Sequence, residues 1–290
     1  MSDYPENLPD VLKRAHLNDV DGAWAMTRGV DGAEMETWGD ATAIKTAAPV
    51  HMGNLLAVTD VPSDPVGLFD RAEKFYGRGN PWRVITAGQA IDPVRKVAEQ
   101  RGMVEHKCQP GMLLSPLLPA PALTPPRNVR VVSTSKDLRA FQLTGARGFG
   151  FPVMALEMIL PDVPGPAGQP GVPQFFLAYD GDVPMSTSAL LVSHGIAGIF
   201  FVCTVPKGRK RGFATSAVWA AVEAGRKLGC DAAYLQATDM GRPVYERMGF
   251  HKVDDFGEWR VQLGPLGMLR AASSIISMVV KHYLNRGRAH

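Results

Sequence analysis

The sequence predicts an α+β protein built from two copies of one unit, each a mixed, mostly antiparallel sheet flanked by helices. Three observations carry this. Across residues 128–263, strand-like and helix-like segments follow one another with turn signals between them. Part of that order recurs upstream: "VAEQRGM" at 97–103 lies over "VYERMGF" at 244–250, with Glu99 over Glu246 and Gly102 over Gly249. Likewise "RAEKFYGRGNPWRVITA" at 71–87 runs through helix, glycine stop and strand, as "AVEAGRKLGCDAAYLQA" does at 221–237. Between the copies lies "SPLLPAPALTPPR", 115–127, whose five prolines in thirteen residues suit neither helix nor central strand. The expected organisation is a domain over 1–114, a linker over 115–127, a second domain over 128–264 and a helical tail over 265–290.

In the second copy the elements read in order. "NVRVV" (128–132) is a strand, Lys136 to about Arg147 a helix, and "QFFLAYD" (174–180) a strand. Asp180-Gly181 is a hairpin turn into "MSTSALLVS" (185–193), and His194-Gly195 opens the β-branched and aromatic run "IAGIFFVCTV" (196–205). A basic loop follows. From Gly212 to about Leu228 small and apolar residues recur at helical spacing, and Gly229 stops them as a C-cap. "AAYLQAT" (232–238) is a strand, "GRPVYERM" (241–248) a short helix with Pro243 in its first turn, and "GEWRVQL" (257–263) a closing strand. The proline-rich stretch 161–173 reads as a long exposed loop, of the kind that carries function.

Composition excludes several classes. With 46% hydrophobic and 20% charged residues among 290, the chain has the balance of a globular protein. A net charge of +3 is too small for a nucleic-acid face. Cys108, Cys203 and Cys230 are widely spaced, which suggests neither a disulfide framework nor a zinc site, and no metal is expected. "MSDYPENLPDVLKRAH" lacks the basic-then-apolar order of a secretory signal, so a reducing cytoplasm is the expected location. The apolar tail stretch "AASSIISMVV", 271–280, is about half the roughly 20 residues of a spanning helix. The tail is expected to pack on its own domain or in a homodimer, with a membrane surface as the alternative.

The basic loop "KGRKR" places four cations at Lys207–Arg211 just before a helix. A bare basic pentamer is commonly a solvated surface run. Here, however, a strand feeds a glycine-bearing loop and a helix, which presents unpaired backbone N–H groups where the macrodipole also favours anions. Gly212 and Ala214 keep the first turn thin, and Arg209, Lys210 and Arg211 add charge. Neither GxxxxGK[ST] nor GxGxxG stands near a strand end, so the other phosphate motifs do not apply.

The pattern Arg-x-x-Gly-x-Ala at Arg209–Ala214, followed by a strand, a tyrosine-bearing short helix and a Gly-Phe pair, resembles the GCN5-related N-acetyltransferase family. The likeness spans about 128–263, and the first half resembles a degenerate copy of the same acyl-CoA N-acyltransferase fold. It implies acetyl-CoA as co-substrate, transfer to an amine of a small molecule or peptide by direct attack, and no nucleic-acid partner. By the same resemblance, amides from Arg211 through Gly212, Phe213, Ala214 and Thr215 to Ser216 would hold the CoA pyrophosphate. Cys203, Thr204 and Val205 would pair with the pantetheine and polarise the thioester carbonyl. Tyr245 would be the general acid that protonates the departing thiolate. The competing reading of Tyr245 is a core tyrosine that packs its helix. In the first copy Ala98 replaces that tyrosine and the acidic "DVPSDP" (60–65) replaces the basic loop, so the chemistry is expected in the second copy, with the first bracing it.

Two departures stand out. Where the family often carries an asparagine, this chain has "TDMGRP" (238–243), and no CoA role is assigned there. No general base stands out: Glu157, Asp162 and His194 are each expected to be structural or solvated. The rival functions are a module that senses acyl-CoA without transfer and, more weakly, nucleic-acid binding through the basic loop.

Overall fold

In this computed structural model, residues 7–77, 79–122, 127–150, 152–160, 169, 171–265, 267–269 and 271–273 are described. The elements in chain order are α1 (Leu8–Thr27), β1 (Glu34–Trp38), β2 (Ala41–Lys45), β3 (Leu55–Val58), α2 (Pro65–Tyr76), β4 (Arg83–Ala87), α3 (Ile91–Gln100), β5 (Val104–His106) and β6 (Gly111–Leu114). Then come β7 (Asn128–Val131), α4 (Ser135–Phe149), α5 (Val153–Ile159), β8 (Gln174–Asp180), β9 (Val183–Ser193), β10 (Ile196–Thr204), α6 (Phe213–Lys227), β11 (Ala232–Gln236), α7 (Arg242–Arg247), β12 (His251–Asp254) and β13 (Phe256–Arg260). They form two compact units, one of residues 1–26 and 109–253, the other of residues 27–108 and 254–290.

The first unit is built on a seven-stranded sheet in the order β12-β6-β11-β10-β9-β8-β7. β10 and β11 run parallel, while β6–β11, β7–β8, β8–β9 and β9–β10 are antiparallel. Both faces are covered. Phe176, Leu190, Ile199 and Leu235 pack with Val218 and Val222 of α6 and with Tyr245 of α7. On a separate cluster, Phe175, Leu177 and Ala189 pack with Leu138 and Phe141 of α4 and Leu156 of α5. Adjacent residues of β8 thus enter opposite clusters, which explains why "QFFLAYD" reads as an unbroken apolar run. α4 starts at a capping box: the Asp137 amide donates to Thr134 Oγ1 at 3.1 Å, and the Thr134 amide donates to Asp137 Oδ2 at 3.2 Å.

α1 belongs to this unit. Asn18, fully buried, donates from Nδ2 to Leu191 O at 3.2 Å, Ile196 O at 3.3 Å and Ser193 Oγ at 2.9 Å. Arg14 makes a two-pronged pair with Asp231, both bonds 3.0 Å. The approach is close enough that a Cβ at Gly198 would collide with Asn18 Oδ1.

The second unit has a six-stranded sheet, β1-β2-β3-β4-β13-β5, with α2 and α3 packed through Phe69, Ala72, Val94 and Val97. Next to its edge strand β5 lies β13, whose Trp259 is fully buried and whose Glu258 lies between Arg83 Nη1 at 2.8 Å and Arg260 Nε at 2.5 Å.

The units are therefore not the sequence halves 1–114 and 128–264. The closing strand, expected over 257–263 in the second copy's sheet, is β13 over 256–260 and lies between β4 and β5. Reciprocally, β6 from the first copy lies between β11 and β12. The chain passes between units at residues 108–109, before the prolines, and Leu117 and Ala120 pack against the first unit's main cluster rather than spanning a gap. A strand's alternation specifies which face is buried and not which neighbour it pairs with, so the exchange is invisible to pattern. α5 and β12 were not expected. The 161–173 loop and the 265–290 tail lie mostly outside the described residues. Among the described residues no helix is long and apolar enough to cross a membrane.

Candidate functional site

In the first unit, β10 and β11 hydrogen-bond only at their first three pairs, Ile196↔Ala232, Ala197↔Ala233 and Gly198↔Tyr234. β10 then continues to Thr204 paired with β9 alone, so a crevice opens between the carboxyl ends of two parallel strands, the place where open α/β sheets bind ligands. α6 begins at its mouth and α7 follows β11 beside it.

The start of α6 lacks a side-chain cap, as do those of α3, α5 and α7, but it alone among these has a left-handed N-cap. Its N-cap is Gly212, in the left-handed region at φ 81°, and no side chain caps it; the first backbone bond of the helix is Ser216 N–H to Gly212 O at 3.0 Å. The amides ahead of that bond have no intrahelical partner. By contrast, α4 carries its capping box and α2 is capped by Asp64. A Cβ at Gly212 would meet nothing within 4 Å, so the glycine is needed for its backbone angle and leaves space in front of the amides. Phe213 and Ser216 are buried, and Ala214 and Thr215 are half-buried. These features fit an anionic group such as a pyrophosphate.

The cations divide in role. Arg209 and Lys210 are exposed, and Lys210 sits at φ 58°. Arg211 instead turns to Asp180, Nη2 to Oδ2 at 2.8 Å, so its guanidinium is partly spent on the fold. Arg127, the last residue of the proline-rich stretch, donates from Nη2 to Arg211 O at 2.9 Å and lies over the Phe213 ring at 4.5 Å. Arg127 thus holds the loop, a role its place beside two prolines concealed.

Cys203 and Thr204 close β10, and Val205 follows it. The Val205 amide donates to Met185 O at 2.9 Å and is committed to the ladder, so it is not free to pair with another chain or ligand. Between Phe200 and Cys203 the register with β9 shifts, two residues (Phe201 and Val202) against one (Ser188), and Phe201 takes φ 51°: a β-bulge. Cys203 is buried, its Sγ 3.0 Å from Thr187 Oγ1, and burial pushes its thiol up to about 11. Thr187 Oγ1 donates its one hydrogen to Phe201 O at 2.7 Å, and Cys203 Sγ faces the carbonyls of Thr144 and Gly145, each at 3.8 Å, as a donor, so Cys203 is a thiol, not a thiolate.

Tyr245, on α7, is buried and packed in the cluster that holds Ile199, Leu235 and Ala237, with the Phe250 ring 5.9 Å away. Burial, reinforced by nearby Cys203, pushes its phenol well above the ordinary tyrosine range. Of the options for a base, Glu157 is buried and ion-paired with Arg139, while His194 is at the β9–β10 turn, 3.1 Å from Asp21 and at the far end of β10. Asp162 lies outside the described residues.

The second unit lacks both features. β3 and β4 stay paired over all four residues, Leu55↔Arg83 to Val58↔Thr86, so no crevice opens. The Asp64 carboxylate accepts the Gly67 amide at 2.9 Å and Pro65 has no N–H, so the chain's own anion occupies the helix start. Ala98 is buried on α3. Asp64→Ala is expected to lower stability by about 1 kcal/mol, the usual worth of an N-cap, in denaturant unfolding, without changing any ligand binding by the first unit.

Comparison with known proteins was made on sequence and on fold. Residues 161–250 match the Acetyltransferase (GNAT) family. No curated protein matches the sequence. Among solved structures, the chain is similar to a GCN5-related N-acetyltransferase from Kribbella flavida, with 17% identity, TM-score 0.66 and 85% of this chain and 96% of that one covered. It is also similar to a GCN5-related N-acetyltransferase from Sphaerobacter thermophilus, with 17% identity, TM-score 0.55 and 78% of each chain covered. A tandem GNAT protein from the clavulanic acid biosynthesis pathway shares 13% identity at TM-score 0.53, over 87% of this chain and 97% of that one. At these identities the structural likeness speaks to fold alone.

Proposed function

We propose, from the match of residues 161–250 to the Acetyltransferase (GNAT) family, that the chain transfers an acetyl group from acetyl-CoA to an amine. The observation that carries the reading is the start of α6: an uncapped helix on a left-handed glycine, with open space in front, at the mouth of the crevice between β10 and β11. The amides from Gly212 to Thr215 would hold the pyrophosphate, with Arg209 and Lys210 adding charge. Acetyl-CoA supplies the acyl group as an activated thioester. The acceptor is a small-molecule or peptide amine, and a cytoplasmic location suits the thiols.

Tyr245 is the proposed general acid. As the amine nitrogen bonds to the carbonyl carbon and the carbon–sulfur bond breaks, Tyr245 gives its phenolic proton to the sulfur, the nitrogen loses its extra proton to water, and the phenolate takes a proton back from water before the next turnover. Burial keeps Tyr245 protonated, and the same dry surroundings make a departing thiolate more basic. A covalent route through Cys203 is disfavoured, because its thiol is pushed up to about 11 and serves as a hydrogen-bond donor.

Tyr245→Phe is expected to leave acetyl-CoA affinity unchanged and to lower kcat on the order of 100-fold or more, read as thiol release with an accepting amine. Equal turnover would remove Tyr245 from the mechanism; binding without turnover in the wild type across amine classes would favour the sensor reading. The sign of the pH effect follows from the raised phenol. An acid must be protonated to act, so the rate should hold through pH 10, where an ordinary tyrosine would already be half ionised.

A further inference from the structure

Three consecutive polar residues of β9, Ser186, Thr187 and Ser188, are fully buried, which needs a reason in a core strand. Each hydroxyl is spent on a backbone carbonyl. Thr187 Oγ1 donates to Phe201 O at 2.7 Å, Ser186 Oγ to Cys203 O at 2.6 Å, and Ser188 Oγ to Ala217 O of α6 at 2.7 Å. Because the Ser186 hydrogen goes to Cys203 O, Thr204 must donate in the 3.0 Å contact between the Ser186 and Thr204 hydroxyls.

Two of these carbonyls, Phe201 O and Cys203 O, belong to the bulged stretch of β10, beyond its last pair with β11. In a trans peptide the C=O and the following N–H point in opposite directions. Holding Phe201 O toward β9 therefore turns the Val202 N–H away from β9, and holding Cys203 O there does the same for the Thr204 N–H. Both donors then face the edge from which β11 has diverged. The Val205 amide, already bonded to Met185 O, confirms the alternation along the strand.

We propose that Thr187 and Ser186 are positioning residues, whose hydroxyls hold the bulge so that the Val202 and Thr204 amides are aimed together at the thioester carbonyl oxygen. This rests on the acetyl-CoA reading. It gives Val202 a role that the sequence pattern did not, and removes Val205 from that role. Preorganised amide donors aimed at a developing oxyanion are the strongest device available to acyl transfer, and a bulge is plastic unless its carbonyls are fixed.

The test uses the full-length chain and acetyl-CoA labelled with carbon-13 at the thioester carbonyl. The bound carbonyl resonance reads polarisation, and the phosphorus-31 resonances of the pyrophosphate read the α6 cradle and the fold. The wild type is expected to shift both. Thr187→Val should lose the carbonyl shift and keep the phosphorus shift, and Thr187→Ser, which retains the hydroxyl, should recover the carbonyl shift. An unchanged carbonyl shift in Thr187→Val, its loss in Thr187→Ser, or its absence in the wild type alongside a phosphorus shift would overturn the proposal and leave the cradle standing. Failure of the wild type to perturb either nucleus would overturn the acetyl-CoA reading and this inference with it. Should Thr187→Val not fold, Ser186→Ala decides: a retained carbonyl shift sinks the proposal and a lost one supports it.

Discussion

A fragment of residues 124–290, which begins inside the proline-rich stretch and keeps the whole basic loop and Tyr245, is expected to be unfolded or insoluble. The cut removes β6 and α1, both of which belong to the first unit. β6 supplies four backbone pairs to β11, Gly111↔Gln236 to Leu114↔Ala233, and buries Met112 and Leu113 completely or nearly so. Those two side chains alone are worth about 3–6 kcal/mol of burial, a large part of the about 5–15 kcal/mol that holds a domain folded. Without β6, β12 has no neighbour on that side and β11 becomes a bare apolar edge. Loss of α1 strips the partner from Leu191 O and Ile196 O and from Asp231. Circular dichroism and sedimentation of the fragment test this; a folded, soluble fragment would show that the exchanged strand is dispensable.

Gly212→Asp is expected to weaken acetyl-CoA binding on the order of 100-fold or more, while Gly212→Asn loses far less. Asp and Asn have nearly the same shape, and both tolerate the left-handed angle of φ 81° better than other side chains. They share whatever strain the site imposes and differ in charge. A carboxylate about 4 Å from a phosphate costs about 4 kcal/mol at an effective dielectric near 20, and it would also cap the very amides that the ligand needs. Asp64 already does this in the second unit. Equal losses for the two variants would mean that strain, not charge, governs the position.

Much of the second copy was legible. The Asp-Gly pair marked the β8–β9 turn, Gly229 stopped α6 at φ 87°, and the run 196–205 became β10. The Arg-x-x-Gly-x-Ala pattern sits at the helix start that the structure leaves uncapped. What the sequence hid were relations between distant segments. Strand β6 reads as a short apolar run and gives no sign that it joins β11 rather than its own copy. "MSTSALLVS" reads as a strand with small polar residues; only the bulge in β10 shows why those hydroxyls are buried. Arg127 and Asn18 act on carbonyls 84 and 173 or more residues away, which no local spacing encodes.

The central claim is that one unit of this chain holds one acetyl-CoA at the start of α6. Calorimetric titration of acetyl-CoA into the intact protein tests it most directly. The expected result is saturable binding at one site per chain, weakened on the order of 100-fold or more in Gly212→Asp and untouched in Asp64→Ala. No binding, or two equivalent sites per chain, would contradict it.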